Sequence, residues 1–144
     1  YTFFKRTSPH PTLVSFDCPD SNTTRLQRET SNTPIQALVT LNNEVYTEAA
    51  QALVRRVTNE GGDNDRQRLT YALRLCIARV PDDAEVDRFE TLLAEAREYY
   101  QSHPDDAKRL IHKHPTESLS AGDNAAWVAT VRMITNLDEF IVRD

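Results

Sequence analysis

The segment Asn32-Thr33-Pro34-Ile35-Gln36-Ala37-Leu38-Val39-Thr40-Leu41-Asn42 fixes where this chain can turn helical. Asn32 or Thr33 can cap a helix N-terminus, its side-chain oxygen taking a backbone N–H that the first turn leaves unpaired. Pro34 suits the first helical position, where its missing N–H costs nothing. Ile35, Leu38 and Val39 follow at helical spacing, and Asn42-Asn43 supplies the next break and cap. Upstream of this segment the sequence reads as irregular. Downstream it reads as helical throughout.

Residues 1–31 carry Pro9, Pro11 and Pro19 and few periodic signals. Ser8-Pro9-His10-Pro11 reads as extended, because each proline pushes its predecessor out of the helical region. Leu13, Val14 and Phe16 are candidates to anchor this arm on the helices. A first helix is expected over about 34–41 and a second over about 44–59, with Val45, Tyr46, Ala49, Leu53 and Val57 on its apolar face. Gly61-Gly62 ends it. Asp63 or Asn64 caps a third helix reaching about Arg79, with a stripe through Leu69, Leu73, Cys76 and Val80, and Pro81 stops it. Asp82 or Asp83 caps a fourth over about 84–102, with Val86, Phe89, Leu93, Ala96 and Tyr100 inward. Pro104 opens a fifth to about His112. Asp123 caps a sixth, which carries Trp127, Val131, Ile134 and Leu137 and is continued or closed by residues 136–140. Short connections favour antiparallel neighbours.

A chain of 144 residues is long enough for one hydrophobic core without metal or disulfide staples. Its net charge of −5 argues against a general nucleic-acid binder. No run approaches the roughly 18 apolar residues of a membrane-spanning helix, and no signal peptide is visible. The chain starts Tyr1-Thr2-Phe3-Phe4 rather than Met, and adjacent aromatics at an end call for cover. The expectation is a piece of a longer polypeptide, whose location this segment does not report. Cys18 and Cys76 make no disulfide framework, though a single bridge between them stays open.

The constellations that carry chemistry elsewhere are sparse here. His112-Lys113-His114, with His103 nearby in sequence, reads either as a cationic helix end stabilised by the dipole or as part of a metal site completed by Asp105 or Asp106. Asp17, Asp20 and Asn22 offer clustered oxygen ligands but lack the glycine and later glutamate of an EF-hand, so capping and turn formation are preferred. Arg25 and Arg28 are candidates to pair with them. Residues 82–107 hold nine acids against Arg88 and Arg97, which reads as a solvated acidic face. The three glycines, Gly61, Gly62 and Gly122, form no phosphate-cradling loop. There is no Gly-x-Ser-x-Gly and no Cys-x-x-Cys-His, so this segment does not itself attach a c-type haem.

Several blocks in order resemble one family. They are Tyr1-Thr2-Phe3-Phe4-Lys5-Arg6-Thr7 with Pro9-His10-Pro11, Phe16-Asp17-x-Pro19-Asp20, Arg28, Thr33-Pro34-x-Gln36-Ala37-Leu38 with Leu41-Asn42, and Asn136-Leu137-Asp138-Glu139-Phe140. Together they resemble the C-terminal part of the planctomycete cytochrome-c-associated domain, a domain of unknown function. The resemblance implies a large, multi-domain exported parent, periplasmic or extracellular, often with haem c on another domain. It implies no catalytic residues. Similar members often have Cys where Thr24 stands here, which puts a thiol role at that position in doubt.

The expectation is therefore one all-α domain over residues 1–144: five to six helices in an antiparallel, bundle-like array (32–144) with an irregular arm (1–31). The expected function is that of a helical accessory or interaction module without a catalytic motif, partnered by an upstream domain or another protein, with no cofactor of its own. The alternative is part of a redox or polysaccharide-degrading enzyme whose site includes Asp17 and Asp20 or lies on another domain. The polar residues singled out are Asp17, Asp20, Arg28, Asn32, Gln36, Asn42, Asp138 and Glu139, with Phe16 and Thr33 beside them. Their expected role is to lock the arm onto the helices, each buried polar group satisfied by another.

Overall fold

The computed structural model of the chain describes residues 5, 7–19, 24, 26–27, 31–111 and 114–142. Among the described residues there are eight helices and no strand. They are α1 (Pro11–Ser15), α2 (Pro34–Asn42), α3 (Glu44–Glu60), α4 (Asp65–Ile77), α5 (Asp83–Ser102), α6 (Pro104–Ile111), α7 (Ala121–Ile134) and α8 (Asp138–Ile141).

The all-helical class is as expected, but eight helices replace the five or six. One addition interrupts the arm. Pro11 takes the first helical position of α1 and His10 before it is extended, so a proline read as a helix breaker here starts a single turn. The other addition is α8, which the sequence left fused to the preceding helix. Backbone turns at Asn136 and Leu137 break the chain, and Leu137, itself extended, leads into Asp138.

Local chemistry sets most boundaries. Thr33 and Gln36 form a reciprocal capping box on α2, and Asp82 and Glu85 form another on α5. Asn43 and Asn64 cap α3 and α4. The expected cap of α7 needs correction. Ser120, not Asp123, accepts the first-turn N–H, and the helix begins three residues earlier. The terminus of α4 also differs. Ala78 adopts the left-handed conformation (φ 58°) and ends the helix at Ile77, short of Arg79.

The core is centred on α7. Ala125, Ala126, Trp127, Val128, Val131 and Ile134 are all fully enclosed. A helix apolar on most sides belongs in a core rather than on a surface. Its neighbours α3, α5 and α6 pack directly against it, α4 bridges α3 and α5, and α8 rests on α4. Val54, Val57, Leu69, Leu73, Val86 and Leu93 complete the interior. On the edge of this bundle α2 packs on α3, and α1 packs on α2.

Arginines staple the periphery. Arg66 on α4 reaches Asp83, Asp87 and Glu90 of α5 at 2.8, 2.6 and 2.9 Å. Arg97 joins Asp65, at the start of α4, to Asp123 on α7 (2.6 Å). Three acids of α5 thus pair with Arg66 while Asp83 and Asp87 stay largely exposed to solvent. Cys18 and Cys76 are both free, Cys76 buried, so the bridge left open above is not formed.

Candidate functional site

The capping box of α2 positions one side chain for a second task. Gln36 Oε1 accepts the Thr33 N–H at 3.0 Å, which aims Nε2 away from the helix. Nε2 then donates to Asp17 Oδ2 at 3.3 Å and to Ser31 Oγ at 3.2 Å. Asp17 Oδ2 also accepts from the Ser31 backbone N–H (2.9 Å) and hydroxyl (2.6 Å). Gln36 is almost wholly buried at 1% exposure, so its amide must be satisfied inside the protein, and it is.

Asp17 pays conformationally for its place, since its φ of 53° lies in the left-handed region that aspartate visits more readily than most residues. The Ser31 hydroxyl, then its backbone N–H and Gln36, hold the carboxyl below its ordinary range, against a smaller opposing effect of desolvation. Such a group is built to accept hydrogen bonds. It is poorly suited to give a proton away. Beside it, Phe16 packs on Tyr46 of α3 with ring centres 6.0 Å apart.

A second set of polar contacts joins α2 to the far end of the chain. Thr40 Oγ1 donates to Asn136 Oδ1 at 2.6 Å. The Asn32 amide donates to Asp138 Oδ1, and the Arg132 guanidinium donates to the Leu41 carbonyl, capping the end of α2. Glu139 lies one step further and bonds Arg79 at 2.8 Å, while Arg79 also grips Glu85. Arg79, then the Asp82 backbone N–H, push the Glu85 carboxyl down to about 2.

The polar residues singled out from sequence therefore divide. Asp17 and Gln36 share one lock. Asn32 meets Asp138, and Glu139 joins a separate ion-pair cluster with Arg79. Asn42 only donates to the Leu38 carbonyl of its own helix at 2.8 Å. Asp20 and Arg28 lie outside the described residues, as do Arg25, Asn22, His112 and Lys113. Sequence reasoning missed Ser31, Thr40 and Arg132. Ser31 had a local signal, standing two residues before the capping-box threonine; the others act across the fold and had none. Among the described residues, no group of three or more His, Cys, Asp or Glu side chains could hold a metal ion. No described helix is long and apolar enough to cross a membrane.

The sequence pattern of one protein family runs through residues 1–93, from the arm to the middle of α5. The chain belongs to the PSD1 family, proteins of unknown function (DUF1553). The Asp17–Ser31–Gln36 lock falls wholly inside the family's match, whereas Asn136, Asp138 and Glu139, which brace α2 and α4 from the C-terminal side, lie beyond it. No curated protein and no solved structure matches the chain.

Proposed function

We propose that this chain is a helical accessory module of a multi-domain exported protein, periplasmic or extracellular, that works alongside c-type cytochrome domains. It carries no catalytic group of its own, and any haem sits on another domain. Its task is to present the arm and α2 as a fixed platform to a neighbouring domain or protein.

The observation that supports this reading is how the polar residues are used. Gln36 is spent on Thr33, Asp17 and Ser31, and Thr40 on Asn136. Hydrogen bonding that an active site would direct into a cleft is directed here into holding two short helices still. A small helix such as α1, five residues long, has little stability by itself and depends on such contacts.

The test is the intact mass and visible absorption spectrum of the protein from its natural source. A polypeptide well above 16.4 kDa with a haem Soret band is expected. A 16.4 kDa species without an absorbing cofactor would overturn the proposal.

A further inference from the structure

A cleft of about 310 Å³ lies between α3, α6 and α7. Among the described residues, α3 contributes Glu44, Glu48 and Gln51 to its lining, α6 contributes Arg109 and α7 contributes Arg132. The three α3 residues recur after four and three positions, so they share one face of the helix.

Two polar atoms of this lining are buried and lack a partner. Gln51 is 4% exposed, and its Nε2 donates to the Leu110 carbonyl at 2.8 Å. That bond fixes the orientation of the amide, since a flipped amide would set two oxygens against each other. Oε1 is left with no donor. Arg132 donates from a terminal nitrogen to the Leu41 carbonyl, while its Nε–H has no acceptor. Native proteins rarely keep buried polar groups unpaired. Here one is an acceptor and the other a donor, so a single molecule offering both would satisfy the two. Water offers both but occupies only about 30 Å³, and the cleft is far larger.

Charge narrows the choice. The α3 side carries two carboxylates, and the α6 and α7 side carries two guanidiniums. A simple anion is repelled by the first and a simple cation by the second, whereas a molecule with both charges suits both. The volume lies at the small end of ligand sites.

We propose that the cleft binds a free α-amino acid, its ammonium donating to Gln51 Oε1 and its carboxylate accepting from Arg132 Nε. The site goes beyond the module reading and involves no reaction of the ligand. Arg132 links it to the end of α2 through the Leu41 carbonyl.

The test is heteronuclear NMR on the isotope-labelled chain, in which the Gln51 side-chain amide and the Arg132 Nε–H each give a signal. The standard amino acids are titrated singly, beside acetate, methylammonium, acetamide and glycine betaine, a zwitterion without an N–H. At least one amino acid should move both signals saturably, and the four controls should not. Arg132→Lys keeps the charge but loses the Nε–H, and should weaken that binding at least about tenfold. The variant's own spectrum reports whether it is folded, and the titration of the parent chain stands without it. No response to any amino acid would leave the cleft to water and overturn the proposal. Acetate, methylammonium or acetamide moving both signals as far would overturn it in favour of an anion, a cation or a neutral amide. Betaine acting alike would overturn the acceptor role of Gln51 and the proposal with it. None of these outcomes touches the module reading, which is tested by mass and absorption.

Discussion

Thr40 Oγ1 lies 2.6 Å from Asn136 Oδ1, across 96 residues of chain, and the same hydroxyl is 2.9 Å from the Ala37 carbonyl. Thr40 is 3% exposed, while Ala37 and Asn136 are half-buried. Thr40→Val keeps the shape, removes the donor and strands the Asn136 oxygen. Losing a partner for a buried polar group costs about 1–3 kcal/mol. Urea denaturation should report a lower midpoint with an unchanged slope. Thr40→Ser should recover most of the loss, because it restores the hydroxyl.

The lock at Asp17 should respond to acid. Its carboxyl titrates below the ordinary range in the folded chain because Ser31 and Gln36 donate to the ionised form. Its stabilising contribution is therefore complete above the unfolded carboxylate pKa and is lost as pH falls through the lower folded value. The protection of the Ser31 amide, whose N–H bonds Asp17, measured relative to its intrinsic exchange rate, should fall in that window. In Asp17→Asn the same amide should be less protected at pH 7, and its protection should no longer depend on acid. Unchanged protection in the variant would show that the arm is held by Phe16 against Tyr46 instead.

These contacts also explain what could be read in advance. The helical class and most helix boundaries were legible because caps and breakers act within four residues: Thr33 with Gln36, Asn64 with Gln67, Asp82 with Glu85. The face of α2 was not. Ile35, Leu38 and Val39 have the spacing of an inward stripe, yet the third-position Gln36 is the buried member. Periodicity ranks faces by apolarity alone. Here a capping glutamine with a carboxylate within reach, and a threonine with an asparagine from the far end, outweighed two aliphatic side chains. The same limit applied to α7, whose enclosure on most sides depends on packing of α3, α5 and α6 around it. The polar residues chosen from the sequence all make contacts where they are described, but Thr40 and Arg132, which act across the fold, were invisible to a reading confined to neighbours.

The Arg79 cluster sets a second acid-sensitive window. Glu85 titrates at about 2, chiefly because Arg79 donates to it, with the Asp82 N–H assisting. Glu139 is lowered by the same arginine. A depressed folded value means that stability from these groups is present above the unfolded value near 4.5 and fades as pH falls toward 2. Arg79→Met should flatten the dependence of the denaturation midpoint on pH between 4.5 and 2. The loss of stability at pH 7 should equal the amount by which that dependence flattens, and both should be modest because the arginine and Glu139 are substantially exposed.

Thiol chemistry should separate the two cysteines. Burial pushes the Cys76 thiol up to about 11, so the reactive thiolate is scarce at pH 8. Cys18 is only partly buried. Titration of the native protein with a thiol reagent at pH 8 should give one fast equivalent, assigned to Cys18 by its loss in Cys18→Ser. The second should appear at the rate of unfolding. Two fast equivalents would mean that α4 opens readily, and none would mean a disulfide.

Ala78 offers a gain in stability. It ends α4 with φ 58°, and its backbone N–H closes the helix on the Arg74 carbonyl. Its Cβ crowds the carbonyl oxygen in this conformation, at a cost of roughly 1–2 kcal/mol per residue. Glycine has no such penalty but loses more backbone freedom on folding, by about 0.5–1 kcal/mol. Ala78 is exposed, so no packing is lost with its methyl group. The balance favours Ala78→Gly by about 0.5–1 kcal/mol, seen as a higher denaturation midpoint with the slope unchanged. Ala78→Val should move the midpoint the other way, because a β-branched side chain tolerates the left-handed region least. Equal midpoints for the glycine and valine variants would show that the end of α4 relaxes out of this conformation in solution.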